Sequence, residues 1–248
     1  MSCSGANITR DASTYYLNKY ASTIKWNVDG GSVIDLGCGD GSVTSILKRY
    51  VPPNNKFYAC DITPKMTDFA KQDPDHKNTT FLVQDVQGEL PDDLKCGFDN
   101  VFSFFLFHWI SDQEKGFQNV YDLMKPGGDC FHIFFVHMSI YTVYDTMSRT
   151  PRWSGRLMNM DTFITPYQNL QVRICCFFIN TEVTDTVNRN IKLIRAVDPH
   201  DMPENEFEEF FKDYEDTVRK LGHVSEDASQ ELSLHYRLII VHAYKTQV

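Results

Sequence analysis

Short apolar runs alternate along the first half of the chain with segments whose apolar residues recur every three or four positions. The runs, bounded by Gly, Pro, Asn or Asp, predict buried strands at 32–36, 56–60, 80–84, 99–105 and 129–136. The periodic segments predict amphipathic helices at 11–25, 42–50, 64–72 and 112–124. This alternation favours parallel strands joined by right-handed crossovers.

The second half of the chain is less regular. Its patterns predict helices at 140–148, 184–196 and 204–221, a lid or wall segment at 151–165, and two strands at 170–179 and 234–244. The two strands would form a hairpin at the sheet edge. Together the elements predict an α/β, Rossmann-like fold with a mostly parallel, seven-stranded sheet and helices on both faces. The absence of a linker or repeat predicts one domain over residues 1–248.

The composition narrows the class of protein. The 248 residues are 42% hydrophobic and 13% aromatic, which suits one α/β domain with a sizeable core. A net charge of −9 without a Lys/Arg cluster argues against a nucleic-acid partner. The chain has no run of 18 apolar residues and no basic-then-apolar N-terminal pattern. We therefore expect no membrane span, no signal peptide and a cytoplasmic location.

The seven cysteines are scattered, without a Cys-x-x-Cys pair, and several fall in predicted core strands. This pattern favours free thiols over disulfides or zinc, and no metal site is predicted. The sequence leaves the oligomeric state open, a homodimer included.

The most informative stretch is Val33-Ile-Asp-Leu-Gly-Cys-Gly-Asp-Gly41, which joins a predicted strand to a predicted helix. Its glycines allow a tight turn and the close approach of a ligand. Asp61 ends the next predicted strand, where its carboxylate can accept hydrogen bonds from both hydroxyls of a ribose. This order of elements is typical of the nucleotide-binding half of a doubly wound sheet, here about residues 10–136. The remainder, about 137–248, would cover the substrate and complete the sheet edge.

The spacing of the glycines separates two classes of cofactor. A dinucleotide site favours G-x-G-x-x-G, whereas Gly37, Gly39 and Gly41 follow G-x-G-x-G. Asp35 and Asp40 would repel a diphosphate but suit the ammonium group of an amino acid. The loop resembles that of the class I S-adenosylmethionine-dependent methyltransferases, so the predicted cofactor is S-adenosyl-L-methionine. A plain glycine-rich turn is the alternative.

Residues after the third and fourth predicted strands are further candidates. Asp85 could accept a hydrogen bond from an adenine amino group, with Val86 lining the ring. Ser103 lies near the end of the fourth strand, where ligands bind in an open α/β sheet, and could meet the methionine part of the cofactor. The alternatives are an ordinary strand-end turn at Asp85 and an ordinary hydrophobic strand around Ser103.

Phe104, His108 and Trp109 follow and are predicted to contact the substrate. Trp109 offers an indole N–H that could orient a carboxylate, together with a broad apolar face. A histidine in an aromatic stretch is more often a packed core residue than a catalyst, but the position of His108 after the strand favours the pocket.

Beyond the loop, the chain resembles the insect juvenile hormone acid O-methyltransferases over roughly residues 10–248. The resemblance is carried by Ile24-Lys25-Trp26, Val33–Thr44, Cys60-Asp61-Ile62, Phe98-Asp99, Phe102-Ser103-Phe104, Leu106, His108-Trp109-Ile110, Asp112-Gln113-Glu114, Gly128-Asp129-Cys130, Tyr144, Pro166-Tyr167 and Asp213-Tyr214. It implies substrate contact at Trp109. It also implies cofactor contacts at Asp35, Gly37, Asp61, Ile62, Asp85, Val86 and Ser103. Cys38 and Gly39, in the glycine loop, are predicted to bind the cofactor as well.

The resemblance also implies the reaction. Members of this family methylate farnesoic acid or juvenile hormone acid, so the expected partner is a small apolar carboxylic acid. A carboxylic acid with a pKa of about 5 is ionised at neutral pH. Methyl transfer then needs desolvation and alignment but no general base, and no catalytic side chain is predicted.

Two departures from the family pattern change the expectation. Ile8 fills the position of a Gln that helps to hold the substrate carboxylate, and Ile cannot donate a hydrogen bond. The predicted strand at 170–179 follows Pro166-Tyr167 almost directly, where the family has a long helix. A crossover needs about a dozen residues, so one crossover helix is predicted to be missing. Both departures predict weak activity, as in a divergent paralogue or a shortened splice form.

Three rival classes remain. A nucleic-acid or protein methyltransferase would carry an Asn/Asp-Pro-Pro-Tyr/Phe stretch or a Pro-Cys nucleophile after the fourth strand, and the sequence has neither. A nicotinamide oxidoreductase is disfavoured by the glycine spacing and by Asp40. A non-catalytic protein that keeps a cofactor or terpenoid pocket is the main alternative.

Overall fold

A computed structural model describes residues 5–157, 165–166, 181–187, 202–223 and 232–246. Its strands are β1 (Ser32–Leu36), β2 (Lys56–Asp61), β3 (Thr79–Val83), β4 (Phe98–Phe104), β5 (Met124–Met138), β6 (Thr181–Val187) and β7 (Leu232–Tyr244). Its α-helices are α1 (Gly5–Tyr20), α2 (Ser42–Leu47), α3 (Pro64–Ala70), α4 (Gln113–Leu123), α5 (Ser139–Ser148) and α6 (Glu204–Lys220).

The strands form one seven-stranded sheet in the order β3-β2-β1-β4-β5-β7-β6. Neighbouring strands from β3 to β5 in this order are parallel, whereas β6 and β7 are antiparallel. Between β5 and β7, the N–H of Gly127 donates to the carbonyl of Lys245, whose N–H donates to the carbonyl of Gly128, both at 2.9 Å. The predicted α/β fold with a mostly parallel, seven-stranded sheet is confirmed.

Local signals in the sequence explain where several helices begin and end. The side chain of Asp112 accepts the N–H of Lys115 at 3.0 Å and so caps the first turn of α4. That helix ends at Leu123, just before the Lys-Pro-Gly-Gly stretch that starts at Lys125. Pro64 occupies the first position of α3, where its missing N–H costs nothing. These are the boundaries, within one or two residues, that the patterns predict.

The edge strand differs from the prediction. It is β6 at Thr181–Val187 that pairs with β7, so residues 184–187 are strand and not the predicted helix. Five of the seven residues in β6 are Thr or Val, whose branched side chains favour a strand. Residues 168–180 separate Tyr167 from β6, and the crossover from β5 to β6 contains α5. The prediction of a missing crossover helix rests on residues 168–180, which lie outside the described residues, so it stays a prediction. Residues 170–179 and 188–196 themselves lie outside the described residues.

The chain forms two compact units. The described residues of the first are 9–134 and 239–246, and those of the second are 5–8, 135–157, 165–166, 181–187, 202–223 and 232–238. Strands β5 and β7 contribute residues to both. The prediction of a single domain over residues 1–248 stays a prediction.

Aromatic side chains dominate the core of each unit. In the first, Trp26 stacks on Phe102 at 5.5 Å and Phe107 stacks on Phe117 at 4.4 Å between ring centroids. In the second, α5 packs on α6, with the Tyr144 ring 5.7 Å from that of Tyr214. Such rings bury large apolar areas and dominate packing energetics. In the part of the chain that the structure describes, no helix is both long and apolar enough to cross a membrane.

Candidate functional site

Three parallel strands end together at one edge of the sheet. The register pairs Leu36, the last residue of β1, with Cys60 of β2 and with Ser103 of β4. The residues that follow each strand therefore lie beside one another, as expected at the ligand-binding edge of an open α/β sheet. The glycine loop, the Asp61-Ile62 pair and the stretch from Phe105 onward meet there.

The glycine loop has the tight turn that its sequence predicts. Gly37, Gly39 and Gly41 have φ values of 70°, 54° and 82°, in the left-handed region that favours glycine. A β-carbon on Gly37 would lie 2.8 Å from the Leu106 side chain. At Gly39 a β-carbon would meet nothing within 4 Å, so the backbone there is open to a ligand. Glycine is thus required by conformation at Gly39 and by crowding as well at Gly37.

Asp61 is held in a fixed orientation by two backbone donors. Its Oδ2 accepts the N–H of Gly39 at 3.0 Å, and its Oδ1 accepts the N–H of Thr63 at 2.9 Å. Each carboxylate oxygen has a second lone pair, so both can still accept from a diol. Ile62, the next residue, is 60% exposed and presents an apolar surface beside this carboxylate.

Asp35 lies at the buried side of the same edge. It is 2% exposed, and its Oδ2 accepts the hydroxyl of Thr44 at 2.7 Å. Burial raises the pKa of Asp35 to about 7, the Thr44 bond opposes this shift, and the charge of Asp61 adds to it. A cationic group placed beside Asp35 would favour its ionised form, so this carboxyl is suited to an ammonium ligand.

A cleft of about 140 Å³ opens at this edge. It is lined by Thr9, Asp35, Gly37, Cys38, Asp40, Ser42, Val43, Phe104 and Phe105. Since one water occupies about 30 Å³ in the liquid, the space suits a group of several heavy atoms. The lining thus combines acidic side chains, glycine backbone and two aromatic residues. Nothing in the sequence pattern of α1 marks Thr9, which reaches the cleft only through tertiary folding.

Phe105 turns the chain at the end of β4. Its φ of 59° lies in the left-handed region, which is unusual for a bulky residue. Its N–H donates to the carbonyl of Ile133 at 2.6 Å, which helps to hold this conformation. The turn allows both Phe104 and Phe105 to line the cleft. Backbone strain of this kind concentrates at functional sites.

The residues predicted after β3 separate into two groups. Asp85 is half-buried and its Oδ1 accepts the N–H of Gln87 at 3.0 Å, a turn contact that leaves part of the carboxylate at the surface. Val86 is only 6% exposed, and its carbonyl accepts the side chain of Asn119 at 2.8 Å. The Val86 residue is thus buried, and the prediction that it lines a ligand ring stays a prediction.

The residues predicted around β4 also separate by burial. Ser103 is fully buried and donates its hydroxyl to the carbonyl of Leu36 at 3.1 Å, so the hydroxyl is not presented to a ligand. His108 is 5% exposed, and burial lowers its pKa to about 3. Both side chains lie in the core, whereas the predicted contacts of the Ser103 backbone with the cofactor and of His108 with the substrate stay predictions. Trp109 is 40% exposed and remains placed for contact.

The described cysteines Cys38, Cys60, Cys96 and Cys130 are free thiols. Burial, reinforced by the charge of Asp35, raises the pKa of Cys38 far above its usual value, and burial raises that of Cys60 to about 12. Among the described residues, no group of three His, Cys, Asp or Glu side chains is arranged to hold a metal ion.

Comparison with known proteins places this geometry in a family. A protein-family profile described as "Methyltransferase domain" matches residues 33–128. The solved structure of the YcgJ protein from Bacillus subtilis aligns over 94% of this chain and 99% of its own, with a TM-score of 0.58 and 13% identity, and supports the fold. The juvenile hormone acid O-methyltransferase of Drosophila melanogaster is 29% identical over 96% of this chain and 89% of its own.

The relative from Bombyx mori, also a juvenile hormone acid O-methyltransferase, is 36% identical over 92% of this chain and 90% of its own. The match extends well beyond the glycine loop that many cofactor-binding proteins share. The resemblance seen in the sequence is thus confirmed, and this chain belongs to the juvenile hormone acid O-methyltransferase family.

Proposed function

We propose that this chain is an S-adenosyl-L-methionine-dependent O-methyltransferase that converts a long terpenoid carboxylic acid, farnesoic acid or juvenile hormone acid, to its methyl ester. The observation that carries the proposal is the acid-lined glycine cleft at the sheet edge, in a chain that belongs to this family. The cofactor supplies an electrophilic methyl group on a positively charged sulfur.

The residues of the sheet edge fit the parts of that cofactor. Asp61 would accept hydrogen bonds from the ribose hydroxyls, and the exposed side chain of Ile62 would lie against the adenine. Asp85 would accept from the adenine amino group. Asp35 and the open backbone at Gly39 would face the amino-acid end of the cofactor. The ammonium group there would stabilise the ionised form of the buried Asp35 carboxyl.

The acid supplies its own nucleophile. With the cofactor bound, a carboxylate oxygen would take the methyl group, and the electron pair of the broken carbon–sulfur bond would stay on sulfur. One negative and one positive charge would disappear together, leaving a neutral ester and a neutral thioether, so no proton would need to move.

The protein must then align and desolvate the carboxylate. Phe104 and Phe105 line the cleft. Their apolar rings would exclude water from the space beside them. Trp109 exposes 40% of its surface after β4, and its indole N–H would orient the substrate carboxylate. Such positioning raises the rate by holding the reacting atoms close and aligned.

The alternative is a non-catalytic protein that binds the cofactor or a terpenoid acid. It was suggested by Ile8, whose side chain has no hydrogen-bond donor, and by the predicted loss of a crossover helix before residues 170–179. The similarity to the juvenile hormone acid O-methyltransferases, over about nine-tenths of each chain, favours the enzyme.

Two measurements test the proposal. Calorimetry with S-adenosylhomocysteine should show binding, and an assay with labelled cofactor should show methyl transfer to farnesoic acid. The Ile8→Gln variant, which restores the family's donor, should turn over faster than the natural chain if that donor is lacking. Binding without transfer in either protein would favour the non-catalytic alternative, and no binding would refute the cofactor assignment.

A further inference from the structure

His76 is a buried histidine with no assigned role in the proposed reaction. It is 2% exposed and ends the short helical turn Pro74–His76 between α3 and β3. Its Nε2 lies 3.1 Å from the carbonyl oxygen of Gly41 and 3.1 Å from the hydroxyl of Ser45. A side chain from a distant part of the sequence thus contacts the last glycine of the loop and the first helix after it.

The contacts fix the protonation state of the ring. A carbonyl oxygen can only accept, so the hydrogen lies on Nε2 and is donated to Gly41. Nδ1 is buried and has no hydrogen-bond partner in the described part of the chain, which disfavours a second hydrogen there. Burial and then the charge of Lys48 lower the pKa of His76, while the Gly41 bond and the charges of Asp73 and Asp75 act in the opposite direction. The ring is therefore a neutral donor at neutral pH.

The loop and the ring are closely fitted. A β-carbon on Gly41 would lie 2.7 Å from Nε2, so only glycine allows the ring this close. The same Gly41 carbonyl also accepts the N–H of Ser45 at 2.9 Å, the first hydrogen bond of α2. Two donors therefore fix the orientation of the peptide between Gly41 and Ser42. Asp40 and Ser42, which flank Gly41, both line the cleft.

We propose that His76 is a positioning residue for cofactor binding, because its Nε2–H holds the Gly41 carbonyl and thereby sets the backbone of Asp40 and Ser42. The inference rests on the proposed cofactor site and adds a residue outside that site's lining. His76 would fix the loop backbone before the cofactor binds, and it does not touch the reacting atoms. Its loss should weaken cofactor binding and leave the transfer step of the bound complex nearly unchanged.

A matched pair of amides tests the hydrogen bond separately from the polarity of the side chain. In His76→Gln the amide nitrogen can reach about the position of Nε2, whereas in His76→Asn it stops one bond short. Loss of one hydrogen bond predicts S-adenosylhomocysteine affinity about three- to tenfold weaker in the Asn variant. The Gln variant should stay within about twofold of the natural chain.

Two further readouts separate positioning from general stability. Phe81, whose ring meets that of His76 edge-on at 5.6 Å, has no polar atom in its side chain and therefore cannot hydrogen-bond to Gly41 through it. Phe81→Leu should lower the melting temperature yet keep cofactor affinity. In the His76→Asn enzyme the KM for S-adenosylmethionine should rise while kcat at saturating cofactor stays within about twofold.

Equal affinities in the Asn and Gln variants would overturn the inference, as would a loss in Phe81→Leu as large as that in His76→Asn. Either result would leave the proposed function intact, because the natural chain would still bind S-adenosylhomocysteine in the same titrations. No binding by the natural chain would instead refute the proposed function and this inference with it.

Discussion

Gly39 donates its backbone N–H to Oδ2 of Asp61 across 3.0 Å, which links the turn after β1 to the acid that ends β2. These two strands are neighbours in the sheet. The Asp61 carboxylate therefore holds the glycine loop by this hydrogen bond and keeps its remaining lone pairs for a ligand. The ribose contact and the loop conformation should fail together when this carboxylate is removed.

The first prediction concerns that carboxylate. Asp61→Ala should weaken S-adenosylhomocysteine binding by about 1.5–3 kcal/mol, the usual value for hydrogen bonds to a charged group. Calorimetry measures this directly. Asp92→Ala is the control, because Asp92 is an exposed carboxylate paired with Lys95. Unchanged affinity in Asp61→Ala would rule out the ribose assignment.

The second prediction concerns the pH dependence of cofactor binding. Burial raises the pKa of Asp35 to about 7, and an ammonium ligand favours its ionised form. Affinity for S-adenosylhomocysteine should therefore rise from pH 5 to about pH 7 and level off above it. In Asp35→Asn, which keeps an acceptor for Thr44, affinity should be lower and this rise should vanish.

Methylthioadenosine is the matched control ligand, because it keeps the adenosine part but lacks the ammonium group. Its binding should not show the Asp35-dependent rise in affinity with pH. A rise of equal size with both ligands would contradict the ammonium assignment.

The raised pKa of Asp35 also affects the stability of the free protein. The contribution of Asp35 to the free energy of unfolding is fully present below its unfolded pKa of about 4 and is lost as pH rises through about 7.

The third prediction concerns Trp109. Trp109→Phe keeps an aromatic face but removes the N–H donor, so turnover should fall tenfold or more while cofactor affinity changes little. Its 40% exposure predicts only a small change in melting temperature. Trp26→Phe is the contrast, because that indole donates to the carbonyl of Ala21 and stacks on Phe102. The Trp26→Phe change should lower the melting temperature more than it lowers turnover. Matching losses of stability and cofactor binding in Trp109→Phe would mark Trp109 as structural.

The fourth prediction concerns Thr9, which lines the cleft with Asp35 and Asp40. Thr9→Val is nearly isosteric but removes the hydroxyl, so S-adenosylhomocysteine should bind about three- to tenfold more weakly. Thr9→Ser keeps the hydroxyl and should retain most of the affinity. Calorimetry on both variants decides the matter, and equal affinities would show that the hydroxyl is not used.

The fifth prediction concerns His132, a fully buried residue of β5 whose two ring nitrogens have no hydrogen-bond partner among the described residues. Burial lowers its pKa to about 3, so the folded state binds fewer protons than the unfolded state between about pH 6.5 and pH 3. Its contribution to stability is fully present above pH 6.5 and is lost as pH falls. His132→Leu should make the free energy of unfolding, measured in urea, less dependent on pH in this window. An unchanged dependence would contradict the assignment.

The sequence predicts the sheet edge well because local patterns decide it. Asp35, Asp61 and the three glycines are located by apolar runs that end at polar residues, and the structure places them together. The edge strand β6 was missed because its Thr and Val residues form a strand only when β7 supplies the pairing. A single strand of mixed polarity carries no such signal in isolation.

The remaining differences depend on tertiary contacts. Ser103 and His108 follow the pattern of site residues, but the direction of each side chain places it in the core. Thr9 lines the cleft from α1, and His76 contacts Gly41 from the turn before β3. Neither residue lies in a motif. Spacing along the chain locates the strand ends. It does not say which side chains from elsewhere complete the cleft.

Cys38 lines the same cleft that would hold the electrophilic methyl group. Sulfur in its anionic form is a stronger nucleophile than a carboxylate and would compete for alkylation. Burial, with the charge of Asp35, raises the pKa of Cys38 so far that the sulfur stays in its unreactive thiol form. Burial, the largest cause of this shift, thereby favours the thiol over the thiolate and would disfavour methylation of the protein's own sulfur.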